Sequence, residues 1–264
     1  MKIWYQSASA YGYEPVWDEY GRTLEEQCRK VLHPDTELKV AGIEVMVRDV
    51  ENWKALQYFQ NAQVLNNMRR AEREGFDAVV VGCTLDTVVQ EGRSLLNIPV
   101  VGISEASYHV AMMMGRMFAI VTSSSAFCEV YAELAERYGV AGRYLARPYI
   151  VGASEEEIAL ALKDPGPLAE RMRAEIERAV DDGASVVIPA PGFLTTLAYR
   201  VGMTRVRDAL VLDTVSVAVK MGEMLAGLRR AGVEPSRRIG SYARPDDAFA
   251  DAALARLRER FRIE

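Results

Sequence analysis

Short apolar runs rich in β-branched residues alternate along the chain with longer stretches whose apolar positions recur every three to four residues. That is the pattern of buried parallel strands covered by amphipathic helices on both faces. The runs predict strands at Lys2 to Tyr5, Leu38 to Val45, Ala78 to Val81, Val100 to Ile103, Phe118 to Val121, Tyr144 to Val151, Val186 to Ile188 and Leu210 to Leu212. The periodic stretches predict helices from about Trp53 to Glu74, Ser104 to Gly115, Ala126 to Tyr138, Pro167 to Asp182 and Val215 to Ala231, the last stopped by Gly232 and Pro235. Ser9 to Asp35 reads as a long loop followed by a short helix, its Tyr11, Tyr13, Trp17 and Tyr20 suited either to a lid over a site or to a patch between copies. The tail from Ser236 to Glu264, rich in Arg and Asp, reads as a solvated terminal helix.

An internal repeat organises these elements. Ala78-Val79-Val80-Val81-Gly82-Cys83 can be laid over Ser185-Val186-Val187-Ile188-Pro189-Ala190, and Pro99 to Ala106 over Ala209 to Val215 at nearly the same distance downstream. The expected fold is α/β, with two similar lobes whose parallel sheets are related by a pseudo-twofold. Lobe 1 takes residues 1–105 and is completed by 214–264; lobe 2 takes 106–213. The Cys83 and Ala190 loops then face each other across one cleft.

With 264 residues, 50% of them apolar and 26% charged, the chain has enough apolar material for a full core. Its net charge of -5, with acids and bases interspersed, supplies neither a basic stripe for nucleic acid nor a polybasic membrane anchor. The expected partners are a small-molecule substrate and further copies of the chain. Met1-Lys2-Ile3-Trp4-Tyr5 meets polar Gln6-Ser7 too soon for a signal-peptide core or a membrane span, so a cytoplasmic location is expected. Cys28, Cys83 and Cys128 have no CxxC spacing, and the histidines are His33 and His109 alone; neither a disulfide framework, a thiolate zinc site nor a histidine-rich metal centre is expected.

Candidate chemistry gathers where the two halves differ. Asp77 to Val81 runs into Gly82-Cys83-Thr84, whereas Ala184 to Ile188 ends at Pro189-Ala190-Pro191-Gly192 with no thiol. A cysteine just beyond a buried parallel strand stands where α/β folds bind ligands, and helix-terminal N–H groups there are expected to lower its pKa toward neutrality. The bland alternative is a small buried hydrophobe, the reading given to Cys28 and Cys128 inside helical stretches. Thr122, Ser123 and Ser124 follow another strand, and their hydroxyls and N–H groups suit either a carboxylate or a plain helix cap. Thr195 suits a cap as well. His109, one turn from Glu105 on a Met-rich helix, reads as structural, and Gly139 to Gly142 does not lead from a strand into a helix and carries no nucleotide signal.

Val81-Gly82-Cys83-Thr84, then Ile98-Pro99-Val100-Val101-Gly102-Ile103-Ser104-Glu105-Ala106, then Phe118-Ala119-Ile120-Val121-Thr122, together resemble the aspartate/glutamate/hydantoin racemase superfamily, closest to its hydantoin and allantoin racemase branch. The resemblance implies two Rossmann-like lobes, no cofactor, and a cysteine on each side of the substrate carbon. Cys83 matches the first cysteine; the second falls on Ala190 or Pro191, neither of which carries a proton. Arylmalonate decarboxylases also work with one cysteine, usually the second, and maleate isomerases use the first as nucleophile while keeping both. By the same resemblance Gln6 and Ser7 stand where relatives touch the substrate, Gly192, Phe193, Thr195 and Thr196 line the loop of the missing thiol, and Glu105 and Asp213 are acids that fix loops rather than move protons.

The expected function is a cofactor-independent isomerase or racemase acting on a small carboxylate or hydantoin/ureide-like molecule. Cys83 is its single catalytic cysteine, with Gln6, Ser7, Gly82, Thr84, Thr122, Ser123, Ala190, Pro191, Gly192 and Phe193 around the substrate. One-sided cysteine chemistry, whether decarboxylation, cis-trans isomerisation or hydrolysis through a covalent intermediate, stands as the alternative. A non-enzymatic small-molecule sensor is the third.

Overall fold

The computed structural model describes residues 1–236 and 240–261. Strands β1 (Lys2–Gln6), β2 (Glu37–Ala41), β3 (Ala78–Val81) and β4 (Val100–Gly102) form an all-parallel sheet in the order β2-β1-β3-β4. The second sheet holds β5 (Phe118–Thr122), β6 (Tyr149–Ile150), β7 (Val186–Ala190), β8 (Arg205–Val206) and β9 (Ala209–Val211) in the order β6-β5-β7-β9-β8, parallel except where β8 runs against β9. Without β8, the two orders are the same order repeated. The strands superimposed in the sequence, β3 on β7 and β4 on β9, occupy equivalent places, and the two-lobed α/β expectation holds.

Ten α-helices cover the sheets among the described residues: α1 (Asp18–Val31), α2 (Lys54–Arg73), α3 (Val89–Leu95), α4 (Ile103–Met114), α5 (Ala126–Arg137), α6 (Glu155–Ala161), α7 (Gly166–Asp181), α8 (Gly192–Arg200), α9 (Thr214–Arg230) and α10 (Asp247–Phe261). In the first sheet β1 and β3 turn Trp4, Val79 and Val81 toward α2 and α3, and Ile3, Tyr5 and Val80 toward α1 and α9. Such two-sided burial explains why these strands are continuous apolar runs rather than alternating ones.

Several expected boundaries change. The strand expected from Leu38 to Val45 stops at Ala41, because Gly42 turns under residues 9–11; a Cβ there would lie 2.3 Å from the Tyr11 carbonyl oxygen. That expected from Tyr144 to Val151 shrinks to Tyr149–Ile150 after Arg147-Pro148, leaving one isolated bridge at Tyr144. The short helix expected before Asp35 is the fourteen-residue α1, and Trp17 and Tyr20 are buried in the core rather than displayed as a lid or patch. The short helices α3 and α6, and α8 directly after β7, had no counterpart in the pattern. Of the expected tail helix, 247–261 is helical, while 237–239 and 262–264 lie outside the described residues.

Candidate active site

In an open parallel sheet the strand order reverses at one crevice, and backbone groups at the carboxyl ends of the strands are free to meet a ligand there. For the first sheet that place lies beyond β1 and β3, at Ser7-Ala8 and Gly82 to Leu85. For the second it lies beyond β5 and β7, where Pro191-Gly192-Phe193 follows β7, and Glu155 follows the neighbouring edge strand β6. All of these line one cavity of about 50 Å³, room for a few water molecules. Tyr20 from α1, Gln60 from α2, Phe127 from α5, and Met46, Val50 and Glu51 from the segment before α2 complete the wall.

Cys83 is partly buried in this cavity, whereas Cys28 is buried in α1 and Cys128, in α5, is not among the residues of its wall. Burial pushes the Cys83 thiol up to about 11, against the opposing pull of the Leu85 N–H and the Thr87 hydroxyl, and the nearby Asp86 and Glu155 carboxyls push the same way as burial. The expected lowering by a helix terminus does not occur, since the next helix, α3, begins only at Val89. The thiol is held in place by its loop: the Asp86 N–H donates to the Cys83 carbonyl at 2.8 Å. Asp86 in turn accepts the Ser104 and Glu105 N–H groups at 2.9 and 2.8 Å and the Tyr138 hydroxyl at 2.7 Å, capping α4.

The other expected residues divide. Ser7, Gly82, Thr84, Pro191, Gly192 and Phe193 line the cavity. The Ser7 hydroxyl pairs with that of Ser9 at 2.8 Å, and Thr84 with the Tyr131 phenol at 2.9 Å. Gln6 is turned away: its amide nitrogen donates to the carbonyls of Ser7, Ala41 and Gly42, and its oxygen accepts from the Trp4 indole. Thr122, Ser123 and Ala190 are buried outside the cavity wall, and the Ser124 hydroxyl accepts from the Ala126 N–H at the start of α5, the cap reading. Thr195 lies inside α8 rather than at its cap and donates to the Pro189 carbonyl at 2.7 Å. Asp213 caps α9 through Ser216, Glu105 pairs with Arg93, and His109 is exposed with Nδ1 against the Glu105 carbonyl.

Phe193 stands beside the position of the missing thiol, stacked on Trp17 at 5.0 Å and edge-on to Tyr20 at 4.7 Å. The two loops nearly touch: a Cβ on Gly192 would lie 3.4 Å from the Gly82 carbonyl and 3.9 Å from the Tyr20 hydroxyl. The cavity wall also holds a carboxyl group that sequence reading missed. Glu155, at the first turn of α6, is buried, and its Oε2 accepts the Asp49 N–H at 3.1 Å. Oxygens of Asp49, Glu51 and Glu155 lie within 4.8 Å of one another. Burial, and after it the charge of Glu51, pushes Glu155 up to about 8.

A carboxyl raised from 4.5 to about 8 on folding binds more protons folded than unfolded in that interval, so its ionisation removes stability as pH climbs through it, on the order of a few kcal/mol. Glu155→Gln is expected to raise the melting temperature by several degrees at pH 9 and to leave it unchanged at pH 4. Equal melting temperatures at pH 9 would show that the carboxylate bears no burial cost.

The family model for Asp/Glu/Hydantoin racemase matches residues 18–222. The chain belongs to the Asp/Glu/hydantoin racemase family. A hydantoin racemase of Rhizobium meliloti is 32% identical over 184 residues, 69% of this chain and 72% of that protein. A hydantoin racemase of Pseudomonas sp. (strain NS671) is 26% identical over 211 residues, 78% of this chain and 80% of that one. The allantoin racemase from Klebsiella pneumoniae superimposes with a TM-score of 0.75 at 28% identity, covering 94% of each chain. This family member is accordingly an enzyme, an isomerase of the racemase type, and its two sheets, parallel but for β8, superimpose on those of an allantoin racemase.

Proposed function

We propose that the enzyme inverts the carbon next to a carbonyl in a small hydantoin- or ureide-like molecule or a small carboxylate, and that Cys83 is the one thiol that moves a proton there. The observation carrying this reading is that Cys83 alone of the three cysteines lines the cavity, at the strand end where the two sheets face each other. Support for the substrate class comes from the relatives named as hydantoin and allantoin racemases.

Removing the proton leaves charge on the carbonyl oxygen. The first turn of α8, opening at Gly192 on the cavity wall, offers N–H groups without intrahelical partners and the positive end of its dipole to that charge. Ser7 and Thr84 add hydroxyls. A thiol at about 11 is thiolate in about one molecule in 10⁴ at pH 7, so the rate is expected to rise with pH through the neutral range.

The missing second thiol favours one further reading on the same site, in which Cys83 performs one-sided chemistry such as decarboxylation or cis-trans isomerisation. Proton NMR in heavy water, with both enantiomers of allantoin and of 5-substituted hydantoins, amino acids, an arylmalonate and maleate, decides between them. Exchange at the stereocentre with inversion is expected for a hydantoin or allantoin; loss of carboxylate or an altered double bond without inversion would replace it with the second reading.

The reading includes the lobe division at 1–105 with 214–264 and 106–213, supported by α9 packing on α1 and β3 of the first sheet. It places the enzyme in a reducing compartment, the cytoplasm, where Cys83 stays a thiol. A second copy of the chain belongs to it too, supported by exposed Trp53, Leu56, Tyr58 and Phe59 at the start of α2. Sedimentation as a monomer at micromolar concentration would remove that last element.

A further inference from the structure

We propose that Glu155 carries the proton on the face of the substrate opposite Cys83, in the role that Ala190 and Pro191 leave vacant. This rests on Cys83 serving the first face, as proposed above. The two groups come from different halves: Cys83 follows β3 in the first sheet, and Glu155 follows β6 in the second, the sheet that lacks its thiol. Both line the same cavity.

The other polar groups of the wall are disqualified by position, bonding or acidity: Glu51, on the segment before α2, lies in the half of the chain that already supplies Cys83. Thr84 belongs to the Cys83 loop, and its hydroxyl is engaged with Tyr131. Ser7 follows β1 of the same sheet as Cys83 and is paired with Ser9. The Gln60 amide oxygen holds the Val47 N–H at 2.7 Å. Tyr20 is a phenol that burial pushes up, and a racemase group has to act as acid in one direction and base in the other, which asks for a pKa near the working pH. Glu155 meets that requirement. Glu51 crowds it with a buried, unpartnered Oε2, the Asp49 N–H and carboxylate adjoin it, and Tyr20 and Cys83 face it. Arg48, next to Asp49 in the chain, is taken by Glu14 and Glu156.

In one direction the Cys83 thiolate removes the proton, so that a C–H bond breaks, an S–H bond forms and the electron pair moves onto the carbonyl as an enolate. The Glu155 O–H bond then breaks as a new C–H bond forms on the opposite face, leaving a carboxylate. The products of this step, thiol and carboxylate, are the ionisation the reverse direction needs. No cofactor or redox partner enters the balance.

The test uses the full chain and whichever hydantoin or allantoin the native enzyme inverts. Glu155→Gln is expected to lower inversion by about 100-fold or more, while the enantiomer whose hydrogen faces Cys83 still exchanges it for deuterium with retention, within about tenfold of the native rate. Cys83→Ala is expected to show the mirror result, residual exchange confined to the other enantiomer, and Tyr20→Phe to keep inversion within about tenfold. Glu155→Asp, which keeps the acid and retracts it by one methylene, is expected to fall between Glu155→Gln and native. Inversion by Glu155→Gln within about threefold of native overturns the proposal. So does joint loss of exchange and inversion in that variant with its near-UV circular dichroism unchanged, or inversion abolished by a chelator and restored by a divalent cation. If Cys83→Ala inverts as fast as native, it is the assignment of Cys83 that has failed, and the two failures are told apart.

Discussion

Cys83→Ala is expected to lower inversion of the native enzyme's substrate by about 10³-fold, the middle of the range for removing a group that transfers the proton in the transition state, with a melting temperature within a few degrees of native. The stability change is small because the side chain is small and lies in a cavity rather than in close packing. Cys128→Ala is expected to leave the rate within about twofold, since that residue lies outside the cavity wall. Initial rates by polarimetry or NMR, together with thermal melts of the same samples, check both. A Cys83→Ala rate within about tenfold of native would remove the thiol from the chemistry.

The second large effect is expected one residue earlier. A Cβ on Gly82 would lie 2.3 to 2.5 Å from three atoms at the phenol end of Tyr5, a distance at which something must move. Tyr5 is fully buried on β1, and β1 is held between β2 and β3, so neither strand has room to yield. Gly82→Ala is expected to cost about 1–3 kcal/mol, the usual range for overpacking. Because the displaced backbone carries Cys83, it is also expected to lower the rate about 100-fold, as a misplacement of about 1 Å does. Tyr5→Leu in the same molecule is expected to return most of both losses by removing the ring. A Gly82→Ala enzyme with native stability and rate would mean that Tyr5 swings aside freely.

The strand-end thiol was legible because a parallel strand buried on both faces leaves an unmistakable run, and Val79-Val80-Val81 ends on it. The two halves could be superimposed for the same reason: Val186-Val187-Ile188 and the run into β9 answer to the same burial. Helix α8 escaped because Pro191-Gly192 has the composition of a loop, yet the chain enters a helix at once and buries nearly every side chain of its first two turns, leaving no polar face to give a period. Glu155 escaped for a different reason. Ser154 followed by three glutamates is what an ordinary helix start looks like, and the Ser154 hydroxyl does accept the Glu157 N–H at 3.1 Å. Only the fold reveals that the first of the three glutamates is turned inward while the other two pair with arginines. Gln6 shows the opposite failure: its place at a strand end suggested substrate contact, but its amide closes the gap between β1 and the turn at Gly42.

The near-contact of the Gly82 and Gly192 loops leaves a chamber with space for a few waters, less than a substituted five-membered ring occupies. For the hydantoin-like substrate proposed above, that space implies that the two loops part on binding, with some of the intrinsic affinity going into holding them apart. A bulkier substituent then weakens apparent binding more than it slows the proton transfers, and product escape, which needs the same separation, competes with those transfers to set the turnover number.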